Sequence, residues 1–454
     1  MLSRSITPLH ATALVVGIII GASIFVQPSV ITGAVPGVGA VYAVWIVSGL
    51  LTLCGALIAA ELASAFPRAG GVYVFLREAY SPALGFLWGW AMFWTMHTGI
   101  IAVIAMIFAR YVAFFVPVGD AGQRAIAVGA IVLLTGINYA GVRQGSIVQT
   151  TLTILKVGAV AAIIAVVFAL GHSPVAASAA HAAMPAAAPA AVATTKLGIS
   201  NFSLGIVAGL FAFGGWHMVT YAAEEITDPE RTIPRALVVG VLVVTASYVA
   251  LNAAYFHVLT PDAIARSTRV AADAADAVLG RGGAAVMSAI VVISTFGAVN
   301  GVILAGPRAY LAMARDKLLV SWAAAVHPRY HTPHRALVLQ GVWAVVLVST
   351  GTYRALFTRV VYTEWIFFAL MAIGLMRLRR RPTYAPAYRV WGYPVVPIVF
   401  AACSAYIVGN QLVTDPAASR VGLLFVLAGL PVYYLWLRKP TSPLPAAPPT
   451  RHAD

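Results

Sequence analysis

Stretches of about twenty residues with almost no charge recur from one end of the chain to the other. That is the length an α-helix needs to cross a hydrocarbon core. Such runs give twelve spans, near 9–33, 39–65, 82–115, 123–140, 147–170, 200–226, 234–258, 284–312, 334–351, 355–377, 393–413 and 419–437. Composition agrees, for 61% of the 454 residues are hydrophobic, only 9% are charged, and the mean hydropathy is +0.89. The sequence therefore describes an all-α polytopic membrane protein whose first surroundings are the lipid bilayer. Its opening, MLSRSITPLH, holds one arginine, and no small-residue cleavage site follows the first apolar run. The first run reads as a retained span.

The net charge of +15 needs no nucleic acid to explain it. With both termini in the cytoplasm, nineteen of the 29 basic residues fall on the inner side, nine fall outside, and Lys156 lies within a span. That bias is the positive-inside rule and sets the expected orientation. Cys54 and Cys403 both sit in apolar runs, so no disulfide framework and no metal-ligand spacing is expected, and no cofactor motif is found. Residues 171–199, rich in Ala and Pro, read as an outer linker, and residues 438–454 as a disordered tail. The outer segment Thr260–Gly283, with Asp262, Asp273 and Asp276 among alanines, reads as short surface helices.

The first span is weakened at its centre. Val15–Ile31 reads VVGIIIGASIFVQPSVI, with Gly21-Ala22-Ser23 in the middle and Pro28 after it. Gly costs a helix interior about 1 kcal/mol relative to Ala and Pro about 3, and backbone groups freed in hydrocarbon must be satisfied. The sixth span repeats the feature, with Gly214-Gly215 in the centre of GLFAFGGWHMVTYAAEEI, Gly209–Ile226. Spans one and six occupy matching places in two successive sets of five. Paired interrupted helices in corresponding halves point to a transporter site on inverted repeats. A break frees N–H groups at the start of one half-helix, which can hold an anion, with the helix dipole adding about 0.3–1 kcal/mol. It frees carbonyls at the end of the other half-helix, which can accept from an ammonium. A site with both poles and no formal charge suits a zwitterion, an amino acid above all.

Several ordered motifs carry a family resemblance. Ile18–Phe25, IIIGASIF, resembles the first-span signature IIGSGIF, and Ala60-Glu61-Leu62 with Pro67-Arg68-Ala69-Gly70-Gly71-Val72-Tyr73 is similar to the end of span two and its loop. Phe211–Trp216, FAFGGW, followed by Glu224-Glu225 and DPERTIPRAL, resembles the sixth-span signature. Phe296–Gly301, FGAVNG, with Arg308 and Ala314-Arg315-Asp316, resembles span eight. From about residue 12 to 410 the chain resembles the amino acid–polyamine–organocation superfamily, most of all its L-type amino-acid transporter group. The resemblance implies a five-plus-five inverted repeat, residues 1–170 and 200–378, with helices 1 and 6 discontinuous. Two added helices follow in 379–437, and rocking and bending of spans one and six would give alternating access.

Roles follow by matched position. Backbone N–H groups around Gly21, Ala22 and Ser23 are expected to hold the carboxylate, and carbonyls of Ile19, Phe211 and Gly214 the ammonium. Phe211 would also close over the substrate, while Trp216, His217, Phe296 and Asn300 would shape the side-chain pocket. The sequence departs from the family where Ala22-Ser23 replaces Ser-Gly, and His217 stands where relatives often carry Asn or Asp. Lys156 is a cation near mid-span five, with an insertion penalty of about 2.5–3.5 kcal/mol. In resembling sodium-independent members a fifth-span lysine stands where sodium-coupled relatives hold the ion. An ammonium can donate to the same freed carbonyls, and could exchange a proton during the cycle. Its alternative is snorkelling to an interface.

Other polar residues have plainer readings. Glu61, Glu224 and Glu225 are read as partners of inner arginines, His97 as packed, and Glu364 either as a coupling or gating residue or as a structural acid. A channel would show a polar stripe or filter loop, and an enzyme would show paired acids, HExxH or clustered ligands; neither appears. A polyamine or organic-cation transporter would want acids in the breaks, which hold none, and a non-transporting sensor would share the site. Animal L-type members join a heavy subunit through a cysteine in the loop between spans three and four. Val116–Gln123, VPVGDAGQ, lacks one, so a standalone permease is expected. The Ala-rich, lysine-poor usage points to a bacterial inner membrane. Exchange and proton symport both stay open.

Overall fold

The computed structural model describes residue 2 and residues 4–21, 23–171, 199–351 and 362–437. Ala22, most of the Ala/Pro-rich linker, residues 352–361 of the expected tenth span and the tail 438–454 lie outside them. Among the described residues the chain is all-helical, and its one piece of strand-like pairing is a parallel bridge between Ile6 and Ile226.

The helices are α1 (Pro8–Ile19), α2 (Gln27–Ala34), α3 (Val38–Ala65), α4 (Val72–Ala79), α5 (Pro82–Val112), α6 (Asp120–Tyr139) and α7 (Val142–Leu170). Then come α8 (Ile199–Ala212), a tight 3₁₀ stretch Trp216–Glu225, α9 (Pro229–Val258), α10 (Pro261–Arg266), α11 (Val270–Leu279) and α12 (Gly283–Arg315). The last are α13 (His334–Thr350), α14 (Thr363–Leu378), α15 (Val395–Thr414) and α16 (Pro416–Leu435). Among the described residues nine helical stretches are long and apolar enough to cross a membrane, and α1 and α13 are shorter apolar helices.

Local sequence explains the ends. Thr7 caps α1 through a 3.4 Å bond from the His10 N–H, with Pro8 in the first turn. Ser81 caps α5 in the same way, again ahead of a proline. Segment 66–81, between the second and third expected spans, contains the short helix α4 with a strongly one-sided apolar face. The segment before α12 forms α10 and α11 as expected. Helix α1 stands at the centre, packed on α7, α9 and α12, while α9 lies along α3 and α12 along α5 and α7. Both interrupted segments are thus held from several sides by continuous helices.

Candidate functional site

Helix α1 stops at Ile19, and the chain resumes as a short turn, Ser23–Phe25, before α2. In an unbroken helix the Gly17 carbonyl would accept from residue 21 and the Ile20 carbonyl from residue 24. Here the Gly21 N–H turns back to the Ile19 carbonyl at 2.7 Å. The fully buried ammonium of Lys156, from α7, occupies the vacated positions. It donates to the carbonyls of Gly17 at 2.9 Å, Ile20 at 2.8 Å and Ser294 at 2.9 Å. The Ser294 hydroxyl, from α12, lies 3.1 Å from the Ile20 carbonyl and 3.2 Å from that of Gly21. Helices α7 and α12 therefore converge on the frayed end of α1, and Lys156 does not reach an interface.

The second break runs through Phe213–Gly215, between α8 and Trp216–Glu225. Gly215 has φ +91°, and a Cβ there would come within 2.4 Å of Ile18 Cγ2. Only glycine allows this left-handed turn and this approach of one break to the other. The hydroxyl of Tyr248, on α9, joins them directly: it lies 2.9 Å from the Ile19 carbonyl and 3.0 Å from the Ala212 carbonyl. Trp45 and Phe213 pack on its ring, with centroids 5.3 and 5.1 Å away.

A cavity of about 170 Å³ opens at these two breaks. Ile19, Gly21, Ser23, Phe211, Gly214 and Trp216 line it, and Phe211 is 40% exposed in its wall. Ile100, Ile104 and Ile107 of α5, Val207 and Leu210 of α8, and Trp365 and Phe368 of α14 make the rest mainly apolar. Glu364 contributes its carboxylate. These wall residues belong to the second half of α5 and the part of α8 before its break, and Ile407 and Gln411 late in α15 continue the wall. Most of the wall is therefore built from the parts of these helices remote from the Glu225–Arg308 pair.

The amino-terminal side is shut. The Ser5 and Ile6 N–H groups donate to the Glu225 carbonyl at 3.0 and 2.9 Å, and Thr227 N–H donates to the Ile6 carbonyl at 3.0 Å. Arg308 grips the Glu225 carboxylate from Nε at 2.7 Å, with both side chains out of solvent. Arg315 pairs with Glu224 at 2.8 Å, and Asp316 takes Tyr73 Oη at 2.6 Å together with Arg77. Arg379 holds Glu61 through two bonds of 2.8 and 2.5 Å.

Not every residue expected at the pocket reaches this cavity. Asn300 is buried among amides: Asn138 Nδ2 donates to its Oδ1 at 2.8 Å, and its own Nδ2 donates to Gln149 Oε1 at 3.0 Å. Phe296 packs on Phe108, centroids 5.4 Å apart. His217 sits behind the wall, with Nε2 3.6 Å from Glu364 Oε1. The Ile19 carbonyl, expected to face an ammonium, already accepts from Tyr248 and Gly21. Ala22 lies outside the described residues. Tyr248 itself escaped the sequence reading, because one tyrosine in a uniformly apolar helix carries no motif.

A family model described as amino acid permease matches residues 6–435, almost the whole chain. The chain belongs to the amino acid permease family. This permease is 31% identical to the serine/threonine exchanger SteT of Bacillus subtilis, over 95% of its own length and 97% of the relative's. It is also 31% identical to Asc-type amino acid transporter 1 of Mus musculus, covering 97% of this chain and 83% of that one. The same identity holds with large neutral amino acids transporter small subunit 2 of Homo sapiens, over 97% and 82% of the two chains. The permease is accordingly a multi-pass membrane protein of the amino acid–polyamine–organocation superfamily, similar to its L-type and Asc-type members.

Proposed function

We propose that this permease carries neutral L-amino acids across the membrane by alternating access and without sodium. It would work in a bacterial inner membrane with both termini in the cytoplasm, and as a single polypeptide with no disulfide-linked heavy subunit. The observation that carries the reading is the meeting of two helix breaks at one cavity. N–H groups that open a helical segment attract an anion, and carbonyls that end one attract a cation. The apolar remainder of the wall suits a neutral side chain.

Lys156 supports sodium independence, for its ammonium fills the carbonyl set between α1 and α12 that a cation would otherwise require. Twelve spans in a five-plus-five inverted repeat plus two helices is the architecture we infer. The interruptions at Gly21 and at Gly214-Gly215 are its two related halves, and the open cavity above a closed amino-terminal side is the outward-facing state.

A second reading has one observation in its favour: Glu364 places an acid in the wall, as a small organic cation would require. Uptake of labelled amino acids by the purified protein in liposomes tests the first. Saturable uptake that persists when potassium replaces sodium, and is blocked by unlabelled neutral amino acids, is expected. Uptake blocked by putrescine but not by neutral amino acids would favour the second reading.

A further inference from the structure

Behind the wall of the cavity lies a set of buried polar groups that neither break uses. Glu364 stands at the cavity with its side chain 11% exposed, and His217, wholly buried, lies 3.6 Å from it. Tyr221 follows one turn along the same segment, its ring centroid 5.6 Å from that of His217 and 5.6 Å from that of His97 on α5. His97 Nδ1 is 3.4 Å from the hydroxyl of Tyr310, in the last turns of α12. The series runs from the open cavity toward the closed amino-terminal side. It ends among the elements that carry the Glu225–Arg308 pair, one turn beyond Tyr221.

The hydrogen bonding of this series is incomplete. Both ring nitrogens of His217, Nε2 of His97 and both amide atoms of Gln340 are buried with no hydrogen-bond partner among the described residues, while Trp88 turns to the Tyr221 hydroxyl. Buried polar atoms are normally satisfied, so a local group of five unpartnered atoms calls for an explanation. Packing alone does not supply one, since apolar residues of similar shape would avoid the desolvation of each group. Groups this close together, each with free donor or acceptor capacity, are of the kind that bridging water satisfies. Carboxylate, imidazole and phenol joined by water are the groups that pass protons through a membrane interior. The titratable side chains facing the series are its own members: Glu364 from α14, His217 and Tyr221 from the broken sixth span, His97 from α5 and Tyr310 from α12, then Glu225.

Resting on the amino-acid reading above, we propose that Glu364, His217, Tyr221, His97 and Tyr310 form a hydrated proton route, so that the permease moves a proton together with its substrate. Glu364 and His217 take the proton from the open cavity, and the series hands it to the amino-terminal side once the Glu225–Arg308 closure parts. Substrate and proton thus share one wall.

The test uses the whole protein in liposomes with a trapped pH indicator and a labelled mixture of L-amino acids. With one proton per substrate, an inside-alkaline gradient of one pH unit should raise accumulation about tenfold, and substrate should drive proton entry in wild type. Tyr221→Phe and His97→Gln should lose most of that gradient response, while exchange against internal amino acid stays within twofold. Exchange by wild type with no proton movement would overturn the route and leave amino-acid transport standing. Full gradient response in both variants would overturn the assignment of these residues. Absence of any uptake or exchange would overturn the amino-acid reading and the route with it.

Discussion

Replacing Lys156 by alanine removes three hydrogen bonds from a charged donor at 2.8–2.9 Å, all to carbonyls and two of them at the end of α1. Bonds of this kind contribute about 1.5–3 kcal/mol each, so together about 5–9 kcal/mol. Placing an ammonium at mid-depth costs about 2.5–3.5 kcal/mol, which leaves a net contribution of about 2–6 kcal/mol to this arrangement of the break. The lower figure already corresponds to roughly thirtyfold in an equilibrium constant. Lys156→Ala should therefore depopulate the arrangement that binds substrate from the open side. Initial rates of uptake into liposomes, at substrate well below saturation, should fall at least tenfold. The melting temperature of the detergent-solubilised protein should fall with them. A Lys156→Ala protein that transports within twofold of wild type would refute the view that this ammonium organises the break.

Tyr248→Phe deletes the hydroxyl shared by the Ile19 and Ala212 carbonyls. With an unsatisfied buried group costing about 1–3 kcal/mol, substrate affinity measured by uptake should weaken about five- to a hundredfold. Gly215→Ala sets a Cβ 2.4 Å from Ile18 Cγ2 at a positive φ. Uptake should be nearly abolished while expression persists, whereas Gly158→Ala, in open space on α7, should transport normally. Arg308→Ala leaves Glu225 buried without its cation, a loss of about 3–5 kcal/mol. Labelling of a cysteine introduced at Met218, in the cavity, should then rise from the amino-terminal side when followed with an impermeant thiol reagent.

Much of this was legible because lipid makes strict demands on a sequence. Apolar runs locate helices, and Gly21 with Gly214-Gly215 stand out where a span should be uniform, so both breaks could be placed within a residue or two. Lys156 was conspicuous for the same reason, and the carbonyls it contacts are those that a break in span one frees. What the sequence withheld depends on rotation about helix axes. The expectation for Asn300 followed from a motif, yet its amide turns toward Asn138 and Gln149 rather than the cavity. Phe296 likewise turns to Phe108. In helices apolar on every side no period marks which face looks inward, and α12 is such a helix. Tyr248 and the partnerless set around His217 and His97 were hidden because their significance lies in contacts between spans far apart in sequence. The amphipathic α4 leaves little mark in the sequence, because its eight residues after a Gly-Gly turn are too few for an apolar span.

The account rests on backbone dipoles at the two breaks holding both poles of an amino acid. The direct measurement is competition against labelled uptake by three forms of one compound: free L-leucine, its N-acetyl derivative and its methyl ester. Free leucine should compete, and each blocked form should be weaker by two orders of magnitude or more, since each loses a charge-assisted set of hydrogen bonds of about 3 kcal/mol. Equal competition by either blocked form would contradict the account.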